Sequence, residues 1–250
     1  MTIETSNRGR GCEIRWLGRI PYREAWELQE DLAAKRLRGE IADTLLLLEH
    51  PPTLTLGRGA DSKHILADSR RLQELGVEVV ETNRGGDVTY HGPGQLVGYP
   101  ILNLNEPPHQ PDLHRYLRGL EEALIAALRY WAIDASRFPG YTGVWTAMDT
   151  AAPAKIAAIG IRTSRWITQH GFAINVCTDL SHFNLIVPCG ISDYGVTSIQ
   201  RIIGQDLGVR DAVPIVAASF LKTFDLDTAI SDNDYPGEPV DTRCFESNRN

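Results

Sequence analysis

The sequence predicts an α/β domain, a mixed sheet with packed helices, and three observations carry that prediction. Amphipathic helical segments are separated by groups of short β-rich runs. Helices and runs alternate irregularly, unlike a strict βαβαβα series. With 42% hydrophobic residues over 250 positions, the chain holds enough apolar material for one large core. A single domain over residues 1–230 is expected. The remainder, 231–250, reads "SDNDYPGEPVDTRCFESNRN", is polar with almost nothing to bury, and is expected to be a loose, dispensable tail.

Taken in order, the first helix starts at Pro21, which suits a first turn, and runs through "YREAWELQEDLAAKRLR" with Ala25, Trp26, Gln29, Leu32 and Ala33 at helical spacing. A second follows Asp112, placed as an N-cap, with Leu113, Leu117, Leu120, Leu124, Leu128 and Trp131 down one side. A third covers Pro214–Phe224. These apolar stripes are read as core. The runs "TLLLLEH", "TLTLG", "VEVVET", "LVGYPIL", "KIAAIGI" and "HGFAINV" are read as strands, and "NLIVP" as an apolar strand ending at Pro188.

Composition narrows the function classes. A net charge of −7 argues against nonspecific nucleic-acid binding, which needs a basic face. The arginines Arg8, Arg10, Arg15 and Arg19 are read as a solvated charged face, with an acidic partner as the alternative. The longest aliphatic run, Leu45–Leu48, is far too short to cross a bilayer, and the N-terminus lacks the apolar centre of a signal peptide, so no membrane and a cytoplasmic location are expected. Cys12, Cys177, Cys189 and Cys244 form no CxxC pair, so neither a zinc knuckle nor a disulfide scaffold is indicated. The histidines show no metal-binding spacing on a helix; His50, His64, His109, His114 and His182 are read as structural, and no metal site is expected.

Two stretches stand out chemically. "RGGDVTYHGPGQL", residues 84–96, holds four glycines interleaved with arginine, histidine and glutamine. It is neither a P-loop nor a dinucleotide fingerprint, and bare backbone there offers N–H groups to an oxygen or anion. In "NLIVPCGISDYGVTSI", Cys189 precedes a glycine at an expected strand-to-turn junction, where a substrate reaches a thiol and backbone N–H groups meet an oxyanion. A thiol nucleophile calls for a cationic or basic neighbour. Lys155, flanked by Ile156, Ala157, Ala158 and Ile159, is the candidate; a lysine at the exposed start of a strand is the equal alternative.

The ordered motifs "RGGDVTYHGPGQLVGYPILNL", "KIAAIGIR", "HGFAINV" and "PCGI" make the chain resemble the lipoyl(octanoyl) transferases. That resemblance implies the catalytic-domain fold of the biotin and lipoate protein ligases. It implies transfer of an octanoyl group from octanoyl-acyl carrier protein to a lysine of lipoyl domains, those of 2-oxoacid dehydrogenase complexes and of the glycine cleavage H protein, with no cofactor. By resemblance, the thioester-forming cysteine falls on Cys189 and the lysine that lowers its pKa on Lys155. Substrate-binding segments fall on Arg84, Gly85, Gly86, Asp87, Val88, Thr89, Tyr90 and His91, on Ala158, Ile159 and Gly160, and on Gly171, Phe172 and Ala173. Three rivals stay open: an ATP-dependent lipoate or biotin ligase, a Cys/His hydrolase using His91, His170 or His182, and a non-enzymatic acyl-binding module.

Overall fold

The computed structural model describes residues 10–148, 150, 152–187, 194–229, 236–240 and 242. Among these, ten strands form one sheet, whose main path runs β12 (Leu226–Ala229), β1 (Arg10–Arg19), β2 (Asp43–Glu49), β6 (Gln95–Ile101), β10 (Ile167–Asn175), β9 (Ala154–Ser164), β8 (Tyr141–Thr146) and β7 (Ala135–Phe138). Off this path, β11 (Gly195–Val196) pairs with β9, and β13 (Glu238–Pro239) with β1. β1 is parallel to β12 and β2, and β11 to β9; the remaining pairs are antiparallel, so the sheet is mixed as expected. A second sheet orders β4 (Glu78–Glu81), β3 (Thr53–Leu56) and β5 (Val88–His91).

Helices cover both faces of the large sheet. The leucine quartet of β2 shows why: Leu45 and Leu47 enter the core cluster shared with α3 (Leu113–Leu128) and α5 (Val209–Phe224), whereas Leu46 and Leu48 pack toward α1 (Tyr22–Leu37). Each leucine buried in this way contributes about 1.5–3 kcal/mol. The Asp112 carboxylate accepts the Arg115 N–H at 3.0 Å, which caps α3 as expected. A third, smaller core lies under the three-stranded sheet, built from Leu54, Val88, Tyr90, Phe183 and Ile186 among others.

Several expectations change. The third helix begins at Val209, where Asp211 accepts the Gly208 N–H and fixes the start ahead of Pro214. The apolar run before Pro188 is a 3₁₀ helix over Leu180–Leu185, opened by the Asp179 side chain, and only Ile186 makes a β-bridge, to Ile65. Leu113 and Leu117 face the cavity described below, and the core face of α3 runs instead through Tyr116, Leu120, Leu124 and Leu128. Two of the N-terminal arginines are not a solvated face: Arg10, together with Arg36, holds the fully buried Asp43, and Arg15 pairs with Glu13, whereas Arg19 is half-exposed and Arg8 lies outside the described residues. Part of the supposed tail also has a place. Glu238 and Pro239 pair with Trp16 and Arg15, the Val240 N–H donates to the Ile14 carbonyl at 3.2 Å, and Thr242 is buried. An open edge of β1 recruits that stretch, and no apolar pattern in the tail announces it.

Candidate active site

One cavity of about 630 Å3 opens where the large sheet, the glycine loop and α3 converge. The glycine loop forms its rim. Gly85 N–H donates to the Ile161 carbonyl at 3.0 Å, Arg58 N–H to Arg84 O at 2.9 Å, and Gly59 N–H to Gly86 O at 3.0 Å. A Cβ on Gly57 would lie 2.3 Å from Gly86 O, and one on Gly160 would lie 2.9 Å from Gly85 O. These glycines are therefore required by backbone-to-backbone contact. The Gly85 N–H, committed to Ile161, is not an oxyanion donor.

Arg84 locks this rim from inside. Its guanidinium donates to Thr55 O at 2.6 Å, to Asp87 O at 2.7 Å and to Gly85 O at 3.1 Å, with only 6% of the residue exposed. The planar fork suits three carbonyls spread around it. Thr89 and His91 on β5 reach the cavity, but Val88 and Tyr90 do not. Strand alternation turns those two into the small core, where the Tyr90 hydroxyl meets His182. The side chains of Val88 and Tyr90 therefore lie outside the cavity, and His182 lies with them.

The floor is a set of buried aromatic and imidazole groups, with Tyr22, His91, Tyr99 and His170 at the cavity surface and His50 packed directly beneath them. His50 Nδ1 donates to Ile20 O at 2.8 Å, so its Nε2 accepts from the Tyr99 hydroxyl, also at 2.8 Å. His170 Nε2 faces Asn83 Oδ1 at 2.7 Å, and its Nδ1 lies 3.4 Å from the Tyr22 hydroxyl. Burial lowers His50 to about 4 and His170 to about 3, and drives His91 well below its ordinary value. Burial also raises Tyr22 to about 12 and pushes Tyr99 up. The floor is polar yet uncharged at neutral pH. His91 Nδ1 donates to Gln95 Oε1 at 2.8 Å, because the Gln95 amide nitrogen is spent on Asn175 Oδ1 at 2.9 Å. Asn175 then donates to Thr197 O at 3.0 Å, and Thr197 N–H to Lys155 O at 3.0 Å.

Lys155 stands on the opposite wall and is buried, with 8% exposure, which settles its place against an exposed strand start. A β-bulge puts it there. Val144 pairs with Ala157 and Trp145 with Lys155, so Ile156 is the extra residue on β9, and Ile156 and Ala157 both enter the core. Strict alternation would have placed Lys155 on the face of Ala157. The bulge instead gives it the face of Ala158 and Gly160. Ile159, Ile161, Phe172, Ala173 and Leu117 supply the apolar lining.

Cys189 lies outside the described residues. The chain on either side is anchored: Val187 N–H donates to His64 O at 2.8 Å, and after residue 193 the Tyr194 ring packs on Phe138, Tyr141 and Trp145. Gly195 and Val196 then pair with Ala154 and Lys155. Of the segments expected at the site, Arg84–Asp87, Thr89, His91, Lys155, Ala158–Gly160 and Gly171–Ala173 all line the cavity. Tyr22, Tyr99, His114 and Tyr141 line it too and were missed, His114 having been read as structural. Helical and strand periodicity assigns such residues to faces, and only the fold brings the faces together.

A mixed sheet flanked by helices on both faces is a fold shared with lipoate protein ligases of known structure. The bipartite lipoate protein ligase of Thermoplasma acidophilum superposes with a TM-score of 0.69 at 18% identity over 89% of this chain and 88% of that one. A lipoate-protein ligase A bound with ATP gives 0.67 at 18% identity over 88% and 90%. At that identity the likeness concerns the fold. Residues 21–221 match the lipoyl protein ligase A/B catalytic domain, and the chain belongs to that family. A protein of Rubrobacter xylanophilus named octanoyltransferase is 51% identical over 87% of this chain and 96% of its own length. One of Chloroflexus aurantiacus with the same name is 47% identical over 88% and 97%. A third, from Myxococcus xanthus, is 50% identical over 84% of this chain, which spans 58% of that longer protein. No helix among the described residues is long and apolar enough to cross a membrane.

Proposed function

We propose that this chain transfers an octanoyl group from octanoyl-acyl carrier protein to the amine of a lysine on lipoyl domains, such as those of 2-oxoacid dehydrogenase complexes or the glycine cleavage H protein. The observation that carries the reading is the buried Lys155 on the wall of a cavity with an apolar lining, in a chain about half identical to proteins named octanoyltransferase.

In this mechanism the Cys189 thiolate attacks the donor thioester. A new C–S bond forms as the carrier's C–S bond breaks, and the carrier sulfur takes a proton from the Lys155 ammonium. The acceptor amine then attacks the acyl-enzyme. An amide forms, the Cys189 thiolate leaves, and the amine's surplus proton returns to Lys155. The exchange of a thioester for an amide runs downhill without ATP. The neutral floor suits an acyl chain better than a charged one would, because no ion has to lose water when the chain enters. A histidine general base is disfavoured, since burial lowers His91 and His170 far below their ordinary values and so makes each a weak proton acceptor.

The test supplies a lipoyl domain with octanoyl-acyl carrier protein in one reaction and with free octanoate plus ATP in another. Modification of the domain lysine only in the first is expected. Modification that requires ATP would assign the chain to the ligases.

A further inference from the structure

We propose that Trp145 is a positioning residue whose indole face holds the Lys155 ammonium on the cavity wall. Lys155 Nζ sits 4.9 Å from the centroid of the Trp145 ring, within the range of a cation–π contact. The two residues are direct cross-strand partners between β8 and β9, so they share a face. The β-bulge that brings Lys155 to the cavity is thus also what brings it over the indole.

The surroundings fix both parts. Trp145 is 1% exposed and is gripped by the rings of Phe138, Tyr141 and Tyr194. Gly143, with φ of +118°, leaves the space beside the lysine stem open: a Cβ there would come within 3.6 Å of Lys155 Cε and 2.5 Å of Ala157 O. The buried Glu121 pins this glycine by accepting its N–H at 3.2 Å. The indole N–H has no acceptor among the described residues. A buried tryptophan ordinarily finds one, so phenylalanine would serve a purely packing role with less cost. What tryptophan adds here is the stronger π face. That face attracts the ammonium without consuming its N–H donors, which stay directed by the rest of the wall.

The role in turnover rests on the proposed function of Lys155, whereas the contact does not, and the experiment separates them. The chain has four lysines, Lys35, Lys63, Lys155 and Lys222, and five tryptophans, so lysine-selective labelling gives a readable spectrum. The Lys155 Hε signal should stand upfield of the other three through the indole ring current and should return to them in Trp145→Leu. Replacing tryptophan with its increasingly fluorinated analogues weakens the π face at nearly constant volume. With octanoyl-acyl carrier protein as donor, kcat should fall stepwise to about 3- to 10-fold below the unfluorinated protein, with KM unchanged. The same analogues in Trp145→Phe, the variant least prone to misfold, should produce no trend. A Lys155 signal grouped with the other lysines would overturn the contact. A flat response to fluorination with the signal displaced would reduce Trp145 to packing. Wild-type turnover by Lys155→Ala would sink the proposed mechanism, whereas a ring-shifted Lys155 signal in the unsubstituted protein would still establish the contact.

Discussion

The two walls of the cavity bury polar groups to a similar depth and treat them in opposite ways. On the floor, His50, His91 and His170 are each tied to a neighbour by hydrogen bonds and held neutral by burial. Across from them, Lys155 is 8% exposed and rests against the face of an indole. A π face attracts a cation as a whole and engages no single N–H. Burial alone therefore does not mark the reactive group. What distinguishes the walls is the charge state their surroundings favour: burial keeps the floor imidazoles neutral, whereas the indole face attracts a cation.

The largest effect expected from this contrast is acid sensitivity of the fold. The folded-state pKa values of the three floor histidines lie below the unfolded value near 6.5, so the unfolded chain binds protons first as pH falls. Their contribution is complete above about pH 6.5 and is lost toward pH 4 and below, at about 1.4 kcal/mol per proton per pH unit. Urea denaturation between pH 7 and 4.5 should show stability falling with slope approaching three protons, and His170→Gln should remove about one of them. A pH-independent midpoint would mean that the floor is not neutral.

Next comes Lys155→Ala, expected to lower turnover about 10²- to 10⁴-fold with little change in melting temperature. Gly143→Ala should cost about 1–3 kcal/mol, since its Cβ would press on Ala157 O at a left-handed φ. An unaltered melting temperature there would show that the wall beside Lys155 is looser than the geometry requires. The smallest effect is assigned to the surface pair Arg210–Glu238, 65% and 67% exposed, where Glu238→Gln should change stability by less than about 1 kcal/mol.

The strands and helices that carry the site were legible because their apolar periodicity is regular: β2, β6, β10, α1 and α3 all fall where the pattern puts them. The glycine loop stood out by composition. The structure adds a reason that composition does not announce: the loop's backbone at Gly85 and Gly86 packs against Gly160 and Gly57, and Gly85 N–H is spent on Ile161 O. The bulge opposite Trp145 was not legible, because nothing in "AKIAAIGIR" marks Ile156 as the extra residue. Tyr22, Tyr99 and His114 were hidden for another reason: each sits on an element read for its core face, and three elements distant in sequence must meet before a floor exists. Val88 and Tyr90 show the converse limit: a strand divides one continuous motif between two faces, and composition does not say which residue takes which.

The central claim is that Cys189 carries the acyl group between donor and acceptor. Intact-mass measurement after mixing the chain with octanoyl-acyl carrier protein tests it directly. One octanoyl unit should appear, map to Cys189, be absent in Cys189→Ser, and leave when a lipoyl domain is added. Full transfer to the lipoyl domain by Cys189→Ser would contradict the account.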